Sequence, residues 1–198
     1  MRDLVKKCRI SIGLASRTLS FLDKLGFVER VNQGRIGYTR LIKKKELLEL
    51  WLKNYDFSLN KVYSFYSPDK EILGKVRNFF REKGLDEFYA LTLHTGTNLI
   101  TSYMLTEDIH IYLNHCSFHK IISEMQDRIL LKQLVVGGNV HFVYPYYRNS
   151  VFHNVRKITK YRVVSNLQLY LDLYNFAPRG KEHSEYLRNV LERKGETI

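Results

Sequence analysis

The chain contains 198 residues with a formal net charge of +12 and an aromatic content of 13%, a composition typical of a basic globular protein and not of a disordered one. Its two cysteines lie far apart, which argues against a disulfide framework, and no apolar run reaches the roughly 18 residues of a membrane span. We therefore expect a cytoplasmic protein that associates with no membrane. Its excess of lysine and arginine suits a polyanion such as nucleic acid.

Residues 1–45 predict two helices followed by a two-stranded hairpin. The second helix is expected to begin after Ser11, a good N-cap, and to end before Gly26. The predicted segments are helices at 2–7 and 11–25 and strands at 27–31 and 38–42, with a turn at 32–34. This order is that of a winged helix-turn-helix, a DNA-binding module whose second helix enters the major groove of double-stranded promoter DNA.

A winged helix-turn-helix normally has one more helix ahead of these two, and the pattern shows none. Two explanations stay open. The natural start of the chain lies further upstream, or the helix predicted over 46–55 takes its place, alone or with a second copy of the chain in a homodimer. We assign residues 1–45 to a DNA-binding domain that lacks its first helix, and residues 46–198 to a second domain.

The second predicted helix has an apolar side, formed by Ala15, Leu19 and Leu22, and a polar side that is able to approach DNA. Arg17 is the expected base reader, because a guanidinium group matches the two acceptors of guanine. Short serines and Gly13 permit a close approach, and a basic wing tip suits phosphates or the minor groove. The predicted DNA-binding residues are Ser11, Gly13, Ser16, Arg17, Ser20, Arg35, Tyr38 and Arg40. The alternative is an amphipathic helix and hairpin that only support a core.

Residues 46–198 predict a mixture of helices and strands, so the expected fold class is α+β, an N-terminal winged helix-turn-helix followed by a mixed α/β domain. Ser67 and Pro68 are expected to start a helix as its N-cap and first helical residue. Residues 137–139 are expected to form a hairpin turn. The predicted strands are 62–66, 88–93, 109–113, 134–136 and 140–144, and the predicted helices are 46–55, 67–83, 96–104, 118–129, 166–174 and 178–193.

Metal binding and catalysis are both disfavoured. One sequence cluster resembles half of a zinc site, but zinc needs about four converging ligands, so we predict no metal and no cofactor. The cluster consists of His110, His115, Cys116 and His119. Neither a P-loop nor the glycine-rich and nucleophile motifs of common enzymes are present, and we predict that the protein is not an enzyme. Asp172, in an apolar helix, is expected to pair with a basic neighbour such as Arg179 rather than to act as a catalytic base.

An aromatic and basic stretch ends the strand predicted at 140–144. It contains Tyr144, Tyr146, Tyr147 and Arg148. Such residues suit stacking on nucleotides or contact with a partner, and the alternative is a strand end packed on the core.

Residues 163–180 read VVSNLQLYLDLYNFAPRG, and with the helix that follows they resemble a signature of the AbiEi-type antitoxins. These are the transcriptional regulators of type IV toxin–antitoxin (abortive infection) systems. The resemblance extends to the winged helix and to segments 89–92, 138–140 and 144–147. The family usually has proline at the position of Asn166.

The resemblance implies an N-terminal winged helix that represses its own operon by binding repeats in the promoter. It also implies a C-terminal α+β domain that neutralises a cognate nucleotidyltransferase toxin without needing to touch it. Two other functions stay open on the residues alone. They are a ligand-responsive winged-helix repressor unrelated to toxin–antitoxin systems, and an RNA-binding protein.

Overall fold

The computed structural model describes residues 2–8, 10–33, 36–104, 106–134, 136–148 and 150–198. Its internal contacts divide the chain into two compact units, Met1–Tyr55 and Asp56–Ile198. The division places the helix after the hairpin in the first unit, whereas the sequence analysis assigns residues 46–198 to the second domain. That assignment remains a prediction about which segment folds independently. The mixture of helices and sheets confirms the α+β class.

The N-terminal unit contains three helices and one hairpin. They are α1 (Arg2–Cys8), α2 (Ile12–Lys24), β1 (Val28–Gln33), β2 (Ile36–Leu41) and α3 (Lys44–Asn54). The Oγ atom of Ser11 accepts a hydrogen bond from the Leu14 amide at 3.1 Å, which confirms the predicted N-cap of α2. The two strands are antiparallel, with Glu29 opposite Arg40 and Val31 opposite Tyr38.

The C-terminal unit is built on one mixed seven-stranded sheet. Its strands are β3 (Lys61–Tyr66), β4 (Tyr89–Leu91), β5 (Ile109–Leu113), β6 (Lys132–Gln133), β7 (Val140–Tyr144), β8 (Arg156–Ile158) and β9 (Tyr161–Val163). Its helices are α4 (Ile72–Glu82), α5 (Leu93–Thr101), α6 (Phe118–Ile129), α7 (Asn166–Tyr174) and α8 (Gly180–Arg193). The strand order is β6-β3-β7-β5-β4-β9-β8, with β5–β7 and β4–β9 parallel and the other pairs antiparallel. Most of the predicted elements are therefore present.

The hairpin predicted around residues 137–139 is wrong, because β3 lies between β6 and β7 and pairs with both. The glycines instead carry the chain past the end of β3. Gly138 has a φ of +104° and lies so close to β3 that a Cβ atom there would be 2.5 Å from the carbonyl oxygen of Phe65. The Asn139 side chain then accepts from the Ser67 amide at 2.9 Å and donates to the Ser67 carbonyl at 2.7 Å.

Two predicted helix starts are displaced. α4 begins at Ile72, because the Ser67 hydroxyl accepts from the Asp69 amide and the Asp69 carboxylate accepts from the Glu71 amide. These bonds hold residues 67–71 in turns that compete with the helix. The start of α5 is also earlier than predicted, at Leu93 rather than residue 96.

The core of the C-terminal unit lies around the central strands of the sheet. Ile111 and Phe142 on neighbouring strands are fully buried, and Phe80 of α4 stacks on Tyr89 at a ring distance of 4.6 Å. The buried part of α7, residues 168–173, belongs to the signature segment. Among the described residues, no helix combines the length and apolarity that crossing a bilayer requires.

Candidate nucleic-acid interface and signature segment

The polar side of α2 carries the predicted base reader. Arg17 and Gly13 are exposed, and Ser16 and Ser20 are half-buried. Ala15 is fully buried on the opposite side, as the helical spacing predicts. Within the part of the chain that the structure describes, Arg17 forms no ion pair with a carboxylate. No described carboxylate therefore competes with an external ligand for the five N–H donors of its guanidinium group.

A contact that the sequence analysis missed joins α2 to the hairpin. Arg30 of β1 donates from Nη2 to the Ser20 hydroxyl at 2.8 Å, and its Nε lies 3.2 Å from the Asp23 carboxylate. Ser20 was expected to contact DNA, and here its oxygen accepts a hydrogen bond from within the protein. We assign it the role of fixing α2 against β1, because three polar groups meet at this one junction.

The predicted wing residues lie on β2. Tyr38 and Arg40 are two residues apart and therefore point to the same face of the strand, and both are exposed. Arg40 donates to the Glu29 carboxylate at 2.8 Å, and this bond raises the pKa of Arg40 further above its usual range. The negative charge of Glu29 offsets that of Arg40, whereas no described carboxylate offsets the charge of Arg17. The predicted tip residue, Arg35, lies outside the described residues.

α2 also has a second apolar stripe, which the sequence analysis did not separate from the core side. Leu14, Phe21 and Leu25 all lie on this stripe, about a quarter turn from the buried Ala15, and Phe21 is 58% exposed. Leu25 follows the apolar spacing of the helix but remains exposed. The buried apolar residues of the described N-terminal unit are Ala15, Val28, Leu52 and Tyr55.

The signature segment is organised around a buried carboxylate. Asp172 is fully buried and accepts hydrogen bonds from the Thr92 hydroxyl, from the Tyr112 hydroxyl at 3.1 Å and from the Gln168 amide at 2.8 Å. The predicted pairing of Asp172 with Arg179 is wrong, because Arg179 binds Glu182 at 2.9 Å and Asp172 faces the sheet instead. The carboxylate therefore joins α7 to β5 and to the residue that follows β4.

Two histidines join the loop after α7 to α5. Nε2 of His94 lies 3.2 Å from the Pro178 carbonyl, and its Nδ1 lies 2.8 Å from Nδ1 of His183. A carbonyl only accepts, so His94 carries its proton on Nε2, and His183 must donate from Nδ1. Nε2 of His183 lies 3.0 Å from the Thr101 hydroxyl oxygen, whose single proton is also within reach of the Thr97 carbonyl at 3.2 Å. Burial lowers the pKa of both rings, to about 4 for His183, which keeps the chain neutral.

The structure explains the type of residue found at two further positions of the signature segment. A Cβ atom on Gly180 would lie 2.1 Å from the Leu173 carbonyl oxygen, so this position at the start of α8 accepts only glycine. Asn166 is the first residue of α7, a position where proline also fits. In this chain, its side-chain amide donates to the Glu196 carboxylate and the Thr197 carbonyl, and so ties the C-terminus to α7.

The aromatic and basic stretch lies at the end of β7. Tyr146 is 62% exposed and Arg148 is also exposed, whereas Tyr144 and Tyr147 are half-buried against the core. The Arg148 guanidinium lies over the Tyr144 ring at 4.5 Å. Tyr144 and Tyr147 therefore pack on the core, whereas Tyr146 and Arg148 face solvent, and contact of this stretch with a nucleic acid or a partner remains a prediction.

The sequence cluster of histidines and Cys116 does not come together. His110 stacks on His141 at 4.6 Å, while His115 contacts Phe88 and His119 contacts Tyr63. Across the residues described, no three His, Cys, Asp or Glu side chains are placed to hold a metal ion.

A family model described as a transcriptional regulator, the AbiEi antitoxin of type IV toxin–antitoxin systems, matches residues 40–192. The match covers most of the chain and includes the whole C-terminal signature. No curated protein and no solved structure gives a match.

Proposed function

The chain belongs to the AbiEi family of antitoxins, transcriptional regulators of type IV toxin–antitoxin systems, and from this premise we propose that it binds its own promoter through residues 1–55. In this proposal, the N-terminal unit is a winged helix-turn-helix. α2 is its recognition helix and β1–β2 is its wing. The protein binds double-stranded operator DNA and represses its own operon.

The observation that carries the proposal is the polar side of α2. It presents Arg17 without an ion-pair partner among the described residues, on a helix that is capped at Ser11 and braced at Ser20. A recognition helix needs such a side, because base edges in the major groove are read by a guanidinium group held in a fixed position. The paired Arg40 and exposed Tyr38 of β2 suit contact with phosphates beside that groove.

The first test is binding of the purified protein to its own upstream promoter and to a scrambled duplex, each at low and moderate salt. We expect preferential binding to the promoter that weakens steeply with salt, because phosphate contacts release counterions. Arg17→Ala should weaken promoter binding about five- to a hundredfold. Arg17→Lys should retain binding to the scrambled duplex but lose the preference for the promoter, because lysine cannot form the bidentate contact.

Arg193→Ala is the matched control, because it removes the same charge from an exposed position of α8. Equal losses in Arg17→Ala and Arg193→Ala would mean that net charge alone drives DNA binding. Equal affinity of the unaltered protein for the promoter and the scrambled duplex would refute the operator proposal outright.

We further propose that the C-terminal unit neutralises a cognate nucleotidyltransferase toxin, with or without direct contact. Coexpression with the toxin tests this role through recovery of growth. Arg17→Ala should still restore growth when it is expressed from a foreign promoter, because its C-terminal unit is unchanged. Failure of the unaltered protein to restore growth contradicts the antitoxin role and leaves promoter binding untouched.

A ligand-responsive repressor is the second candidate, and one cavity favours it. The cavity of about 700 Å³ lies between α4, α5 and the ends of β3, β5 and β7. Thr95, Asn98, Thr106 and Asn139 contribute to its lining, so it offers hydrogen-bonding groups to a small polar molecule. A metabolite that raises the melting temperature of the protein and changes its promoter affinity would support this candidate.

A further inference from the structure

The end of β7 carries an exposed surface that promoter binding by α2 does not use. We call it the aromatic platform and define it as Lys61, Tyr144, Tyr146, Tyr147 and Arg148. We propose that the aromatic platform binds single-stranded RNA, which adds a second nucleic-acid site to a protein whose proposed DNA reader lies in the other unit. This inference does not depend on the proposed function.

The first stacking position is the guanidinium group of Arg148. It lies 4.5 Å from the centre of the Tyr144 ring, and that ring also packs edge to face against Phe118 at 5.1 Å. The Arg148 carbonyl also accepts a hydrogen bond from Asn114 at 3.2 Å, which fixes the backbone below the side chain. An unpaired base is therefore able to stack on the outer face of an arginine that the protein has already oriented.

The second stacking position is Tyr146. Its ring is largely exposed and meets Tyr147 edge to face at 5.0 Å, and its amide donates to the Asn60 side chain at 2.9 Å. A tyrosine held in this way loses little conformational freedom when a base stacks on it. Tyr146 and Arg148 are two residues apart, so they provide two stacking positions on one short segment.

The charge of the surface suits a phosphate backbone. Lys61 lies directly opposite Tyr144 on the neighbouring strand, and both side chains therefore project from the same face of the sheet. Over the ranges that the structure describes, neither Lys61 nor Arg148 forms an ion pair with a carboxylate. The combination of stacking rings with cations is the one that single-strand binding proteins use.

We expect the single-stranded ligand to be RNA. In cells, RNA exposes unpaired bases in loops and ends, whereas the bases of a chromosomal duplex are already stacked and paired. Duplex DNA offers no unstacked base to such a surface, and it leaves the two stacking positions empty. The platform should therefore prefer a single-stranded RNA over a duplex of the same sequence.

The test is fluorescence anisotropy of the full chain with a short, unstructured, labelled RNA, the DNA of the same sequence, and the corresponding duplex. We expect the RNA to bind more tightly than the duplex. Tyr146→Ala and Arg148→Ala should each weaken RNA binding about fivefold or more, because each removes a stacking partner. Arg148→Lys should lose nearly as much as Arg148→Ala, since lysine keeps the charge but has no planar face.

Two controls separate this site from general charge and from α2. Tyr66→Ala removes an exposed tyrosine at the other end of β3 and should leave RNA binding unchanged. Arg17→Ala should reduce promoter binding and spare RNA binding, while Tyr146→Ala should do the reverse. Melting curves of each variant establish that a loss of binding is not a loss of folding.

Several results would overturn the inference. These are an RNA affinity unchanged in the Tyr146→Ala/Arg148→Ala double variant, an equal loss in Tyr66→Ala, or tighter binding to the duplex than to the RNA. Tighter binding to single-stranded DNA than to RNA would overturn the assignment to RNA. Loss of promoter binding in Arg17→Ala has no bearing on these results, so the two proposals fail separately.

Discussion

The two units of the molecule use their residues in opposite ways. The N-terminal unit exposes much of its apolar surface, including Phe21 and Leu14 of α2, and it keeps its charged groups at the surface. The C-terminal unit buries a large apolar core and also buries Asp172, His94 and His183. The difference teaches that an exposed helix side can be predicted from local spacing, whereas a buried polar network cannot.

The two units also differ in their content of charged residues and histidines. Residues 1–55 hold 13 of the 32 lysines and arginines but only 5 of the 20 acidic residues, whereas all seven histidines lie in residues 56–198. Excess positive charge therefore marks the unit proposed to bind DNA. Because every histidine belongs to the other unit, the two units should respond differently to salt and to acid.

The largest contrast should come from removing one phenylalanine in each unit. Phe80→Ala deletes a fully buried ring that stacks on Tyr89, and should destabilise the C-terminal unit by about 3–5 kcal/mol. Phe21→Ala deletes an exposed ring and should cost under about 1 kcal/mol. Urea unfolding followed by circular dichroism gives both values. A similar cost for both variants would mean that the stripe of α2 is covered in solution.

The second contrast concerns carboxylates. Asp172→Ala leaves three buried donors without their acceptor and should cost about 2–5 kcal/mol. Glu29→Ala breaks an exposed pair with Arg40 in the N-terminal unit and should cost about 0–1 kcal/mol. The same unfolding experiment compares them. If Asp172→Ala lowered the free energy of unfolding no more than Glu29→Ala does, the hydrogen bonds of Asp172 would not be what holds α7 against the sheet.

The sequence predicts the features that depend on neighbouring residues, and it does not predict those that depend on residues distant in the chain. The N-cap at Ser11 and the apolar spacing of α2 arise from neighbours within a few residues, and both were predicted correctly. The position of β3 between β6 and β7 depends on pairings distant in sequence, and the local signal of two glycines indicated a hairpin instead. Likewise, no local pattern predicts that His94 meets His183, a residue 89 positions away.

The candidate sites show the same limit. Arg17 and Tyr146 are exposed as their surroundings in the sequence suggest, because a polar helix side and a proline-containing strand end are local features. The engagement of Ser20 by Arg30 requires the hairpin to fold back on α2, and no spacing rule contains it. The signature segment was recognised by resemblance, while the partners of Asp172 required the assembled sheet.

The last contrast, and the one most specific to one unit, is the response of stability to pH. Burial lowers the pKa of His183 to about 4 and, with the neighbouring His141, that of His110 to about 3, whereas both titrate near 6.5 in an unfolded chain. At a pH between the folded and the unfolded pKa of each ring, the unfolded state binds more protons than the folded state, so acid favours unfolding. The stability of the C-terminal unit should therefore be complete above about pH 6.5 and decline as the pH falls toward about 4, by on the order of 1–2 kcal/mol per ring at pH 5.

The N-terminal unit contains no histidine, which makes it the internal control for this decline. Hydrogen exchange measured between pH 7 and pH 5 and corrected for the intrinsic rate should show protection falling around His94 and His183 and unchanged protection in α2. His183→Gln removes one titrating ring, and its stability should depend less steeply on pH than that of the unaltered protein. If both units lost protection in parallel, the carboxylates would be responsible, and the neutral hydrogen-bond chain from Pro178 to Thr101 would have no part in acid sensitivity.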